Sequence, residues 1–100
     1  MANLDDMVWS ELKTAEELKK TVKDMNGVDS KGRTAFYNIC RRCPGEVVEE
    51  ALKLGGKHDN GGKKGKLPLF GACRTQNIAA VNLLLGAGDS KVVHSHNLSP

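Results

Sequence analysis

The chain repeats itself at a spacing of 33 residues, and that period constrains its fold more than any other feature of its 100 residues. Aligned on itself without a gap, Lys31 falls on Lys64, Gly32 on Gly65, Cys40 on Cys73 and Arg41 on Arg74. Val48 then falls on Val81, Leu52 on Leu85 and Gly55 on Gly88. Conservative pairs fill the gaps: Arg33/Lys66, Phe36/Leu69, Tyr37/Phe70, Ile39/Ala72, Val47/Ala80 and Ala51/Leu84. Units of this kind stack, each covering an apolar face that its neighbour cannot bury alone.

Each unit has the same internal plan. A turn at Gly32 or Gly65 leads to a short apolar helix, expected over Ala35–Arg42 and Pro68–Thr75. Ala35 and Pro68 stand at the first helical position, where a missing N–H is tolerated. Pro44-Gly45 and Gln76-Asn77 make the next turn, and second helices are expected over Glu46–Leu54 and Ile78–Leu85. Val48, Ala51 and Leu52, like Val81, Leu84 and Leu85, recur at i, i+3, i+4 and share one face. Gly55 and Gly88 suit left-handed C-terminal caps. The glycine-rich stretch Gly55-Gly56 to Gly61-Gly62 has the chemistry of a hairpin between units.

These features resemble the ankyrin repeat, whose pattern runs D-x-x-G-x-T-P-L-H, then small residues, then V-V-x-L-L-L-x-x-G-A. Asp29-Ser30-Lys31-Gly32-Arg33-Thr34-Ala35-Phe36 is similar to its start, and Val47-Val48 through Gly55-Gly56 to its end. Gly65-Lys66-Leu67-Pro68-Leu69 and Val81-Asn82-Leu83-Leu84-Leu85 match again. The resemblance implies an all-α solenoid of stacked antiparallel helix pairs joined by β-hairpin loops. It divides the chain into an N-terminal capping repeat over 1–28, repeats over 29–61 and 62–94, and the start of another or a tail over 95–100. Departures fall at Leu67 for Thr, at Tyr37 and Phe70 for His, and at Ala35 for Pro. Part of the Thr–His bonding between units is therefore missing, and a weaker array is expected.

The ends are less regular. Asn3-Leu4-Asp5-Asp6 reads as a helix start, with Leu4, Val8 and Leu12 as an apolar stripe. Thr14-Ala15-Glu16-Glu17 reads as a capping box opening a helix with Ala15, Leu18 and Val22 inward. Met7–Lys13 is similar to the opening of the myotrophins, small ankyrin proteins that inhibit actin-filament capping protein. At the other end Asn97-Leu98-Ser99-Pro100 looks like the opening of a further repeat, and no closing repeat with a polar outer face is visible. Leu83-Leu84-Leu85 is then expected to be only partly covered, by a folded-back tail, a continuation of the chain or a partner.

The net charge of +3, from 15 Lys+Arg against 12 Asp+Glu, is mild, but its distribution is not. The family resemblance places the variable positions of the first helices and hairpin tips on a concave partner-binding face. Those positions are Ser30, Lys31, Arg33, Arg41 and Arg42 in one unit, and Lys63, Lys64, Lys66, Arg74 and Thr75 in the next. Eight of the ten are basic and none is acidic, whereas Glu16, Glu17, Glu46, Glu49 and Glu50 fall on second helices. Charges within a Debye length of roughly 8–10 Å add into one field. Solvation alone accounts for any single lysine or arginine, while the uniform sign of the set favours an acidic protein segment as partner. Tyr37, Phe70 and Trp9 are candidate aromatic anchors. Nucleic acid or an anionic surface is the alternative of another class, and few aromatics with a pI near 8.8 count against it. Regulation of actin capping is a third expectation.

No nucleophile–base–acid set emerges, so no enzyme, cofactor or small-molecule substrate is expected. Cys40-Arg41-Arg42-Cys43 has zinc-like spacing but no second ligand pair, and the histidines, His58, His94 and His96, do not complete one. Cys40 and Cys73 fall at small buried family positions, and Cys43, at a turn, is expected to be exposed and oxidisable. Trp9 is expected in the core or as an exposed anchor. His94-Ser95-His96 reads as a solvated tail. Gly61-Gly62-Lys63-Lys64-Gly65 fits a hairpin and no phosphate-loop spacing. An odd cysteine count, no membrane-length apolar run and no signal-type h-region predict a cytoplasmic or nuclear location.

Overall fold

The computed structural model describes residues 4–86, and over that range the protein is all-α. The expectations for Gly88, His94, His96 and 95–100 lie outside the described residues. Five α-helices are formed: α1, Ala15–Thr21; α2, Ala35–Arg42; α3, Gly45–Lys53; α4, Pro68–Arg74; and α5, Ile78–Leu84. Three-residue 3₁₀ turns lie at Leu4–Asp6, Trp9–Glu11 and Gly62–Lys64. α2 packs on α4 and on the Trp9–Glu11 turn, while α3 packs on both α1 and α5. The result is two rows of elements, with α2 packed on α3 and α4 on α5 across the rows.

Local chemistry sets the helix ends. Thr34 caps α2 by accepting the Tyr37 N–H at 2.9 Å. α2 stops before Pro44 because the residue preceding a proline is driven out of the helical region, and Cys43 is extended, with ψ 155°. α3 closes on a left-handed Gly55, with the Gly56 N–H donating to Ala51 O and the Gly55 N–H to Leu52 O. Those paired bonds form a Schellman cap. α4 closes the same way, but Gln76 occupies the left-handed position with φ 60°, while Asn77 donates to Ala72 O and Gln76 to Cys73 O.

The N-terminal helix expected from Leu4, Val8 and Leu12 is replaced by two 3₁₀ turns, with Glu11 donating to Val8 O and Leu12 to Trp9 O. The capping box downstream is the reason. Thr14 must be extended to cap α1 (φ −131°, ψ 159°), so the chain leaves helical geometry at Leu12. Leu12 still reaches the core, whereas Val8 is 55% exposed.

The loops also depart from regular hairpins. Among the described residues there is no strand, only one antiparallel bridge between Val28 and Thr34. Asp29 organises that turn: its Oδ1 accepts the N–H groups of Lys31 at 2.9 Å and Arg33 at 3.0 Å. Gly62 stands at the equivalent position 33 residues on. Having no carboxylate there, the second loop forms a 3₁₀ turn and docks on the first through Lys63 N–H to Gly32 O at 2.9 Å.

Leu18, Phe36, Ile39, Val47, Val48 and Leu84 fill the core, and Cys40, Ala51, Ala72 and Ala80 let the helices close on them. Each large aliphatic or aromatic residue so buried stabilises the fold by about 1.5–3 kcal/mol. Polar side chains join the units. Asn77 Nδ2 donates to Cys40 O and Cys43 O, both at 2.8 Å, and Thr75 Oγ1 donates to Arg41 O at 2.9 Å. These bonds satisfy carbonyls that the end of α2 leaves without helical partners. Cys43 Sγ reaches back to Trp9 O in the same sense, at 3.2 Å.

Candidate functional site

The basic residues singled out in the sequence occupy the ends of α2 and α4 and the loops leading into them. Arg41 and Arg42 lie in the last turn of α2, and Arg74 in the last turn of α4. Lys31 and Arg33 belong to the Asp29 turn. Lys63 and Lys64 lie in the 3₁₀ turn, close enough to Gly32 that an added Cβ there would meet them at 3.2 and 3.3 Å. Lys66 follows. Lys31, Arg42, Lys63, Lys64, Lys66 and Arg74 are exposed, while Arg33 and Arg41 are half-buried. Of the two polar positions in the set, Ser30 donates to Asp5 and Thr75 to α2.

The arginines are held in place. The Arg41 guanidinium lies 5.9 Å from the centroid of Tyr37, and 33 residues on Arg74 lies 5.7 Å from that of Phe70. Burial, followed by repulsion from Arg42 and more weakly from Arg33 and Arg74, pushes the Arg41 guanidinium below its ordinary value, with Tyr37 opposing. Arg33 faces Asp29, Nε to Oδ2, at 3.6 Å. Burial tends to raise the Asp29 carboxyl. The Arg33 N–H, the Asn38 amide, the Lys31 N–H and the Arg33 charge outweigh it and hold the group below its usual range.

Three glutamates are engaged in the other row. Glu46 Oε2 accepts the Ala15 N–H at 3.1 Å, and Glu50 pairs with Lys19 at 3.5 Å, tying α1 to α3. Glu17 completes the capping box, and hydrogen bonds from the Lys13 and Thr14 N–H groups hold its carboxyl below the usual range.

Between the N-terminal segment and α2 runs a cleft of about 250 Å³. Met7, Val8 and Trp9 form one wall, and Arg33, Asn38, Arg41 and Arg42 the other. A separate pocket of about 220 Å³ lies beside it, sharing Met7, Trp9 and Arg33 and lined also by Asp5, Asp29 and Lys31. The basic positions were visible in the sequence. The apolar wall was not, because only the break at Leu12 turns Met7 and Trp9 toward α2.

Three expectations are corrected. Tyr37, expected as a partner anchor, is buried at 2% exposure. Its ring lies under α4, where a Cβ on Gly71 would come within 2.9 Å of it, so Tyr37 anchors the next unit instead. Phe70, its equivalent, is 49% exposed. Cys43 is buried rather than exposed, because its thiol turns inward to Trp9 O, and burial pushes that thiol up to about 12. Cys73, expected in the core, is exposed. It occupies on α4 the position that Cys40 occupies on α2, and no described helix lies over α4 as α4 lies over α2.

Among the described residues no group of three or more His, Cys, Asp or Glu side chains could hold a metal ion, and no helix is long and apolar enough to cross a membrane. Comparison with known protein-family models, with curated proteins and with solved structures returns no match.

Proposed function

We propose that the chain is a non-catalytic protein-interaction module, a short ankyrin-type stack whose basic face receives an acidic segment of another protein. The ankyrin part of this reading is supported by recurrence: α4 and α5 begin 33 residues after α2 and α3, and side chains 34 residues apart link successive units. One observation carries the function. Arg41 and Arg42 stand with Arg33 on a cleft whose own lining, among the described residues, holds no carboxylate. Arg33 is already engaged by Asp29, so a partner's carboxylates would relieve the repulsion between Arg41 and Arg42. Arginine also suits the work, since its planar fork holds a carboxylate through two parallel hydrogen bonds.

Binding of an acidic peptide and of duplex DNA, each over a salt series, tests the reading. The peptide should bind wild type and fail to bind a variant carrying Arg41→Glu and Arg42→Glu. Tighter binding of DNA than of the peptide, with a log–log salt slope of about 0.9 per phosphate neutralised, would replace an acidic protein by nucleic acid. Met7–Lys13, the stretch similar to the myotrophins, includes the apolar wall of the cleft. Actin-filament capping protein is therefore the first whole partner to assay.

A further inference from the structure

The cleft is two-faced, and the charge of one face does not explain the other. Val8 is a large apolar residue left 55% exposed. Met7 and Trp9 line the cleft beside it while packing against the core from the opposite side. An electrostatic receptor alone gives no reason for Val8 to stand exposed beside three arginines. We propose that the partner segment carries one apolar side chain that enters the cleft against Met7, Val8 and Trp9, with carboxylates beside it on the side of Arg41, Arg42 and Arg74. This rests on the basic-face reading and specifies the partner's sequence.

Size, rigidity and charge converge on such an occupant. At about 250 Å³ the space falls below the roughly 300–1,000 Å³ of pockets that enclose small molecules and cofactors, and it suits one side chain of a peptide. The apolar wall is built before binding. Trp9 sits in a 3₁₀ turn packed on α2, with its carbonyl fixed by the Cys43 thiol at 3.2 Å, so little ordering entropy remains to be lost. A tryptophan rimmed by arginines has the composition of an interface hot spot.

Charge also gives the segment a direction. The arginines stand at the α2 end of the cleft, and Arg74 lies beyond them. The neighbouring pocket mixes Lys31 and Arg33 with Asp5 and Asp29, so carboxylates on that side of the anchor meet like charge. A segment acidic on one side of its apolar residue fits this layout better than one acidic on both.

Trp9 is the only tryptophan in the chain, so its fluorescence reports this cleft alone. The probes are hexaglutamate and the same peptide with leucine in place of its first residue, both blocked at their ends. The leucine peptide should bind about tenfold more tightly, equivalent to ~1.4 kcal/mol, and shift Trp9 emission to the blue. Val8→Ser, an exposed substitution that leaves the core intact, should remove most of that advantage while leaving hexaglutamate binding unchanged. Equal affinity for the two peptides, or an advantage that survives Val8→Ser together with Met7→Ala, overturns the anchor proposal and leaves the basic face standing. Failure of both peptides to bind wild type overturns the basic face and the anchor with it.

Discussion

Gly71→Ala sets two effects of known size against each other, and the structure decides the sign. Replacing glycine by alanine inside a helix ordinarily stabilises by about 0.5–1 kcal/mol, because the unfolded chain has less freedom to lose. Gly71 sits in α4, so propensity alone predicts a gain. The new methyl, however, would lie 2.7 Å from Arg41 Cγ and 2.9 Å from Cε2 and Cζ of Tyr37. Arg41 is half-buried and can turn about its Cα–Cβ bond to carry Cγ away, giving up its place over Tyr37. The Tyr37 ring is buried beneath α4 and cannot. Overpacking of a fixed ring costs about 1–3 kcal/mol, so the net effect is a destabilisation of about 1–2 kcal/mol. In a domain of this size that lowers Tm by roughly 5–15 °C. Urea titration followed by helical circular dichroism measures the loss directly. Tyr37→Leu removes the two ring atoms concerned, so a double-mutant cycle should show a favourable coupling of about 1 kcal/mol between the substitutions. An unchanged or raised midpoint for Gly71→Ala, or a coupling near zero, would refute the claim that close approach of α4 to α2 requires a glycine.

Asn77→Ala removes two hydrogen bonds to the end of α2 and the cap of α5, so a loss of about 2–3 kcal/mol is expected in the same titration. Gln76→Gly relieves a left-handed side-chain residue and should raise stability by up to about 1 kcal/mol, read as a higher urea midpoint. Thiol labelling should find one fast cysteine, Cys73, and two slow ones. With its pKa near 12, Cys43 is thiolate in only about one molecule in 10⁴ at pH 8, and Cys43 labelling as fast as Cys73 would contradict its burial. Asp29 has a depressed carboxyl. Its contribution is therefore complete above the ordinary value of 3.8 and is lost as pH falls through the lower folded value. Tm measured from pH 6 to pH 2.5 should fall more steeply below pH 4 in wild type than in Asp29→Asn.

Much of this geometry was legible in the sequence because it is local. Thr34, Pro44, Gly55 and the Thr14–Glu17 box act within a turn of their own positions, and all helix ends from α2 to α5 fall within one residue of expectation. What was not legible depends on a neighbour. Tyr37 and Phe70 hold equivalent places, yet one is 2% and the other 49% exposed, and Thr34 at 1% contrasts with Leu67 at 42%. Periodicity identifies equivalent residues, but a residue on the stacking face is buried by the next unit and not by its own. The same reason moved Cys73 to the surface. Cys43 went the other way because a turn position can send a thiol back to the preceding unit, an interaction that leaves no trace in spacing.

The charge pattern follows from the same two-row construction. A helix pair has one member in each row, so a period of 33 assigns every position to a row as well as to a unit. Glu46 and Glu50 fall in the row of α1, α3 and α5, where they hold α1 against α3. Arg41, Arg42 and Arg74 fall in the row of α2 and α4, where each successive unit adds its charges to those before. The net charge of +3 therefore understates the α2–α4 row, where Arg41, Arg42 and Arg74 stand apart from Glu46 and Glu50. Glu46 and Glu50 are engaged within the stack, on Ala15 N–H and Lys19, and not with these arginines. That separation leaves the field of the α2–α4 row available to a partner. The break at Leu12 then adds an apolar wall beside it, giving the face a feature that charge alone could not supply.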